Sequence, residues 1–137
     1  MKSKNSNILY YSSVILFIIS LTQNAFFIDN KDGCVGYMAL IFGFYVVLDT
    51  GISWVANLFI ILSWAYRNKK ASKYFSLLAL VFGISFLFID KIIIGTNNIY
   101  SKITGYGLGY YLWVLSFLLM FIRSLLNYEK IFDTKNS

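Results

Sequence analysis

GYMALIFGFYVVLDTGISWVANLFIILSWAY, Gly36 to Tyr66, runs for 31 residues with a single charge, Asp49. As one helix it would measure about 46 Å at about 1.5 Å per residue. The hydrocarbon core of a bilayer is about 30 Å thick and takes about 20 apolar residues. The stretch is therefore too long for one ordinary span and too short for two spans and a turn. Asp49-Thr50-Gly51 interrupts it. Two arrangements fit: one long tilted helix broken near Asp49–Gly51, or a half-helix over 36–47, re-entrant or at the interface, followed by a span over 51–66. Irregular backbone at that depth is tolerated only when it is buried in protein or faces water.

Working outward, three further stretches have ordinary span lengths: Ile8–Phe27, Ala71–Ile89 and Gly107–Leu126. Lys2 and Lys4 before the first also fit a signal peptide. Cleavage after Ala25 would place Gln23 where a small residue is wanted, so a retained anchor is expected. The expectation is an all-α fold, a polytopic transmembrane helix bundle of about four spans forming one membrane domain over 1–137. Composition agrees: 58% of residues are hydrophobic and 13% charged, against about 45–50% and about 25% in soluble domains.

Lys and Arg near the span ends set orientation. Arg67, Lys69, Lys70 and Lys73 form the densest basic cluster and are assigned to the cytosol. Both termini then fall in the cytosol, and Asp29–Val35 and Gly95–Tyr106 face outside. Nine of the twelve basic residues lie inside under this scheme, all but Lys31, Lys91 and Lys102. Two full crossings within Gly36–Tyr66 would put either the N-terminus or the basic loop on the wrong side, which favours one net crossing there. The net charge of +6 is thereby explained without nucleic acid, and the lipid bilayer is the expected partner.

Histidine is absent and Cys34 is the only cysteine. An intramolecular disulfide is impossible, a His/Cys metal site has no ligands, and Ser-His or Cys-His catalysis lacks its base. No cofactor is expected. Asp49 and Asp90 are the acids in or near the spans. A charged carboxylate deep in hydrocarbon costs about 2.5–3.5 kcal/mol, so each needs a partner, water or a proton. Asp49, Ser53, Asn57 and Asp90 form the candidate polar cluster, with Ala56 and Ser63 on the same side of the second stretch. Asp49-Thr50-Gly51 also spells the triplet of aspartic proteases, which makes a membrane aspartyl hydrolase a low-ranking alternative.

Helices approach closely in lipid through small residues. Ser72, Ser76, Ala79 and Gly83 follow helical spacing, with Asp90 beyond them, and Gly105 and Gly109 spell G-x-x-x-G. Ser76, Ala79, Gly83, Gly105 and Gly109 are the expected packing positions. Tyr10, Tyr11, Trp64, Tyr66, Tyr106, Tyr110, Tyr111 and Trp113 read as interfacial belts, and Arg123 as a side chain snorkelling to headgroups.

Trp54-Val55-Ala56-Asn57-Leu58 and Gly109-Tyr110-Tyr111-Leu112-Trp113 resemble motifs in a loose group of uncharacterised small bacterial four-helix membrane proteins. These carry W-x-A-N-P-apolar after a glycine-rich half-segment and G-Y-Y-L-W in the last span. The resemblance covers about Gly36–Phe121 and departs at Leu58, where the group has proline. It implies a bacterial inner membrane and the span count, but no activity. The expected function is non-enzymatic and acts through helix–helix contacts with a membrane partner or a second copy, as an accessory subunit or an immunity-type protector. The alternative is a small oligomeric ion channel or transporter using Asp49, Ser53, Asn57 and Asp90. With Cys34 replaced by serine, a single cysteine at Asn68 is expected to react with a membrane-impermeant maleimide only after the cell membrane is opened. Labelling of intact cells would reverse the orientation.

Overall fold

The computed structural model describes residues 2–29, 32–45, 51–94 and 99–136, with side chains from 5–29, 33–45, 51–93 and 99–128. The segment that carries Asp49 lies outside the described residues.

Helix α1 (Lys2–Thr22) buries Ser6, Ser13 and Ser20, every seventh residue, and exposes Ile8, Ile15, Ile18 and Ile19. Its small face lies against helix α5 (Leu108–Asn136), and the two run antiparallel. Ser6 Oγ donates to Asn127 Oδ1 at 3.1 Å near one end, and Ser13 Oγ donates to the Ser116 carbonyl at 2.8 Å midway. Near the other end Gly109 meets the last turn of α1 backbone to backbone. A Cβ there would lie 2.8 Å from the Gln23 carbonyl oxygen and 2.9 Å from those of Ser20 and Asn24.

A 3-10 turn (Ile52–Trp54) leads into helix α3 (Val55–Ala65), which makes a hairpin with helix α4 (Ala71–Ser85). Ser63 Oγ donates to the Ser72 carbonyl at 3.0 Å, and Ser72 Oγ to that of Ser63 at 3.0 Å. Ser72 Oγ also lies 3.0 Å from Ser124 Oγ, which ties the hairpin to α5. Ser72, Ser76, Ala79 and Gly83 are all buried, with the Phe117 ring against Gly83. Phe17, Ala56, Ile60, Ala79, Phe117 and Met120 complete the interior.

Three helices are long and apolar enough to cross a membrane, at Asn5–Thr22, Ala71–Phe88 and Leu108–Tyr128; Ile52–Ala65 is shorter and also apolar. Their outward faces carry large aliphatic residues, among them Ile61, Leu77, Val81, Leu115 and Ile122. Helix α2 (Gly36–Gly43) buries none of its residues.

The chain is mostly helical but not all-α, which corrects the expectation from sequence. The segments between helices form one antiparallel sheet from strands β1 (Asn24–Ile28), β2 (Asp32–Val35), β3 (Lys91–Ile94) and β4 (Ile99–Tyr106), in the order β2-β1-β4-β3. Phe26 pairs with Cys34 on one side and Tyr106 on the other. Asp29 takes a φ of 47° at the end of β1, a left-handed conformation that Asp tolerates better than most residues. The first helix therefore ends at Thr22, and Asn24–Phe27, expected inside the span, belong to β1. The reason is proximity. β1 starts two residues after α1 ends, and β4 ends two residues before α5 starts. Helices that touch at Gly109 deliver these two strands side by side.

Gly105 sits in β4 opposite Phe27, so the G-x-x-x-G pair is split between strand and helix and only Gly109 packs helix on helix. A Gly109→Ala variant must push three backbone carbonyls apart, at a cost of about 1–3 kcal/mol. Leu115→Ala, on the outward face, is expected to cost less. Unfolding in mixed micelles compares them, and equal losses would count against the close approach.

Candidate functional site

Below the sheet lies a cavity of about 850 Å³, near the top of the range of about 300–1,000 Å³ common for ligand pockets. Its walls come from the end of α1 (Ser20, Leu21), from α2 (Met38, Ala39, Leu40, Gly43) and from the turn into α3 (Ser53, Trp54, Asn57). Gly109, Tyr110 and Trp113 of α5 close the far side, and Phe26, Cys34, Ile92 and Ile93 of the sheet form the roof.

The entry to α2 depends on a second close contact. Gly36 donates its N–H to the Gln23 carbonyl at 2.8 Å, and a Cβ at Gly36 would run into the Ser20 carbonyl and the Leu21 backbone. The other end of α2 is held by Trp54, whose Nε1 donates to the Leu40 carbonyl at 2.6 Å. The Trp54 ring packs on Phe44 at 5.3 Å.

The polar side chains in and around the walls are engaged, mostly with backbone carbonyls. Asn57 Nδ2 donates to the Trp54 carbonyl at 3.0 Å, and its Oδ1 accepts from Trp113 Nε1 at 2.8 Å. Tyr110 OH donates to the Gly83 carbonyl at 3.1 Å, and Tyr106 OH to the Phe86 carbonyl at 3.2 Å. What faces the cavity is chiefly hydrocarbon and ring. Burial raises the Cys34 thiol above its ordinary value. Burial first, then the Asp90 carboxylate and Tyr111, raise the Tyr106 phenol. Both groups stay protonated at neutral pH.

Of the polar cluster read from the sequence, Ser53 and Asn57 are buried, four residues apart at the mouth of α3. Asp90 does not join them. Its side chain is exposed just before β3, and its backbone carbonyl accepts from Ile103 N at 2.9 Å. Asp49 lies outside the described residues. Ser76, Ala79 and Gly83 stand on the buried face of α4. Tyr110 and Trp113, expected in a belt, instead line the cavity, and Tyr110 is buried. Tyr111 is exposed. Arg123, expected to reach headgroups, is only 2% exposed.

Ser13 and Ser116 escaped the sequence reading, although the seven-residue spacing of Ser6, Ser13 and Ser20 is a legible small-residue face. Among the described residues no group of His, Cys, Asp or Glu could hold a metal ion. No protein-family model, curated protein or solved structure matches the chain.

Asn57 is the polar strut of the cavity wall. Asn57→Leu keeps the volume and breaks both bonds, so it is expected to lower stability by about 0.6–2 kcal/mol and to change the Trp emission as Trp113 loses its acceptor. An unaltered spectrum with unaltered stability would remove Asn57 from this role.

Proposed function

We propose that this chain is a small non-enzymatic protein of a bacterial inner membrane that crosses the bilayer four times, with both termini in the cytosol. We infer that it works by docking a membrane helix of a partner protein against α2 and the cavity beside it. An accessory subunit and an immunity-type protector are both proteins of this kind.

The bilayer is supported by an inside-out distribution of side chains. Serines, alanine and glycine fill much of the helix contacts, while isoleucine, leucine and valine cover the outward faces. In water the exposed aliphatic surface would drive aggregation. In lipid, helix contacts gain from close packing and hydrogen bonds instead. The turn into α3 and α3 itself, Ile52–Ala65, reach about 21 Å, short of the core by about the length of α2. One interrupted crossing is the economical arrangement. The end that carries Arg67, Lys69, Lys70, Lys73 and Arg123 then belongs in the cytosol.

The observation that carries the docking reading is the composition of α2. It leaves Tyr37, Met38, Ile41 and Phe42 exposed, continued by Phe44 and Tyr45. Aromatic residues and methionine are the types enriched in protein–protein interfaces, whereas the other outward faces are mainly aliphatic. Ion flux has less support. Asn57 is held by Trp54 and Trp113, and Asp90 points away from the bundle interior.

A photoactivatable residue at Phe42 in cells is expected to give a discrete protein adduct, and one at Val81 on the α4 face none. An adduct of two copies would name the chain itself as partner. Equal yields from both positions, or none from Phe42, would defeat docking at α2.

A further inference from the structure

At the end of the bundle opposite the sheet, two guanidinium groups converge on one ring. Arg67 Cζ lies 4.5 Å from the centroid of Tyr10, and Arg123 Cζ lies 5.5 Å from the same centroid. Arg123 is fixed there. Its Nε donates to the Ser6 carbonyl at 3.1 Å and its Nη1 to the Arg67 carbonyl at 2.6 Å. It thus clamps the α3–α4 turn against the start of α1 and aims Arg67 at Tyr10. Beside them Lys73 Nζ stands 4.2 Å from the Tyr128 ring, and Lys70 Nζ 5.7 Å.

Four cations are therefore gathered around two tyrosines. Of the acids with described side chains, Asp29 and Asp90 both lie at the sheet end; Glu129 and Asp133 follow Tyr128 in the sequence, with side chains outside the described set, and the four cations outnumber them. Ring faces attract cations, but they do not cancel the repulsion between like charges held in one cluster. An anion would do so. The same end also exposes large apolar side chains, with Ile8 and Tyr11 on α1, Tyr74 on α4 and Leu126 on α5. A ligand that matches both features is anionic at its head and hydrocarbon along its body.

We propose that Arg67, Lys70 and Lys73, with Arg67 held in place by the buried Arg123, form a binding site for the phosphodiester of an anionic membrane lipid of the phosphatidylglycerol class. Basic pockets between transmembrane helices on the cytoplasmic side suit such headgroups. The lipid phosphate sits between the Tyr10 and Tyr128 pairs, and its acyl chains run along the exposed apolar faces of the neighbouring helices. A zwitterionic choline headgroup carries its own cation into a cluster already positive, so it is the poorer ligand. Arg123 is a positioning residue, since its bonds go to backbone carbonyls.

The site presupposes the bilayer reading, and the two fail separately. A chain absent from the membrane fraction would sink that reading. A membrane-recovered chain without lipid preference would sink the site alone. The test is native mass spectrometry of the detergent-purified full chain, offered phosphatidylglycerol and phosphatidylcholine in competition. One phosphatidylglycerol is expected to be retained in preference. Arg67→Ala and Lys73→Ala, neither of which removes the Arg123 clamp, are each expected to reduce that preference about fivefold, from the attraction of one basic residue for an anionic surface. Lys102→Ala, at the sheet end, is expected to leave it unchanged. Equal retention of both lipids, or an undiminished preference in the Arg67→Ala/Lys73→Ala double variant, would overturn the proposal. Displacement of the lipid by inorganic phosphate alone would reassign the site to a free anion and overturn the lipid assignment.

Discussion

The backbone contact between α1 and α5 is the constraint on which the other parts of the structure depend. Gly109 lets the first turn of α5 rest on the carbonyls at the end of α1, and Ser13 extends the contact by bonding to the Ser116 carbonyl. Strands β1 and β4 emerge from these same helix ends, so their pairing continues the helix contact beyond the bundle. Gly107 seals the junction, donating its N–H to the Ala25 carbonyl at 2.8 Å. The two hairpins add β2 and β3 at the edges, and β2 launches α2 from the neighbouring carbonyl of Gln23. The cavity is what remains beneath the roof when α2 is held off the bundle by Trp54.

The interior that this contact creates is rich in small polar residues, with Ser6, Ser13, Ser20, Ser53, Ser63, Ser72, Ser76, Ser116 and Ser124 all buried. Its polar members are mostly hydroxyls bonded to carbonyls and to each other, as in the Ser63, Ser72 and Ser124 group. Each such bond contributes little, about 0.6–2 kcal/mol in lipid. Their value lies in number and in the short interhelical distance that small side chains allow. No buried side-chain nitrogen or oxygen among the described residues lacks a partner, as burial away from water requires.

The two ends of the bundle have opposite chemistry for a physical reason. The sheet end is apolar beneath its roof, because Trp113 donates to Asn57 while Trp54, Tyr106, Tyr110 and Asn57 donate to backbone carbonyls. The opposite end gathers arginine and lysine on tyrosine rings and spends the bonds of Arg123 on backbone carbonyls. One end is accordingly lined by hydrocarbon and rings, and the other is strongly basic.

Local sequence was enough to determine the three apolar helices of membrane-crossing length, because length and hydropathy are properties of contiguous residues. The small face of α4, from Ser72 to Gly83, was legible for the same reason: its periodicity lies within one segment. The hairpin signal in Lys91–Tyr106 was also there to be read, with β-branched residues on either side of Gly95-Thr96-Asn97-Asn98, but counting spans treats everything between helices as loop. Tertiary structure alone decided that both hairpins merge into one sheet, since β1 and β4 meet only after α1 and α5 have paired. It alone decided the fate of Arg123, whose acceptor at Ser6 lies 117 residues away, and of Asn57, joined to Trp113 across 56 residues. Such partners depend on how helices are arranged around one another, which no periodicity within a single helix encodes.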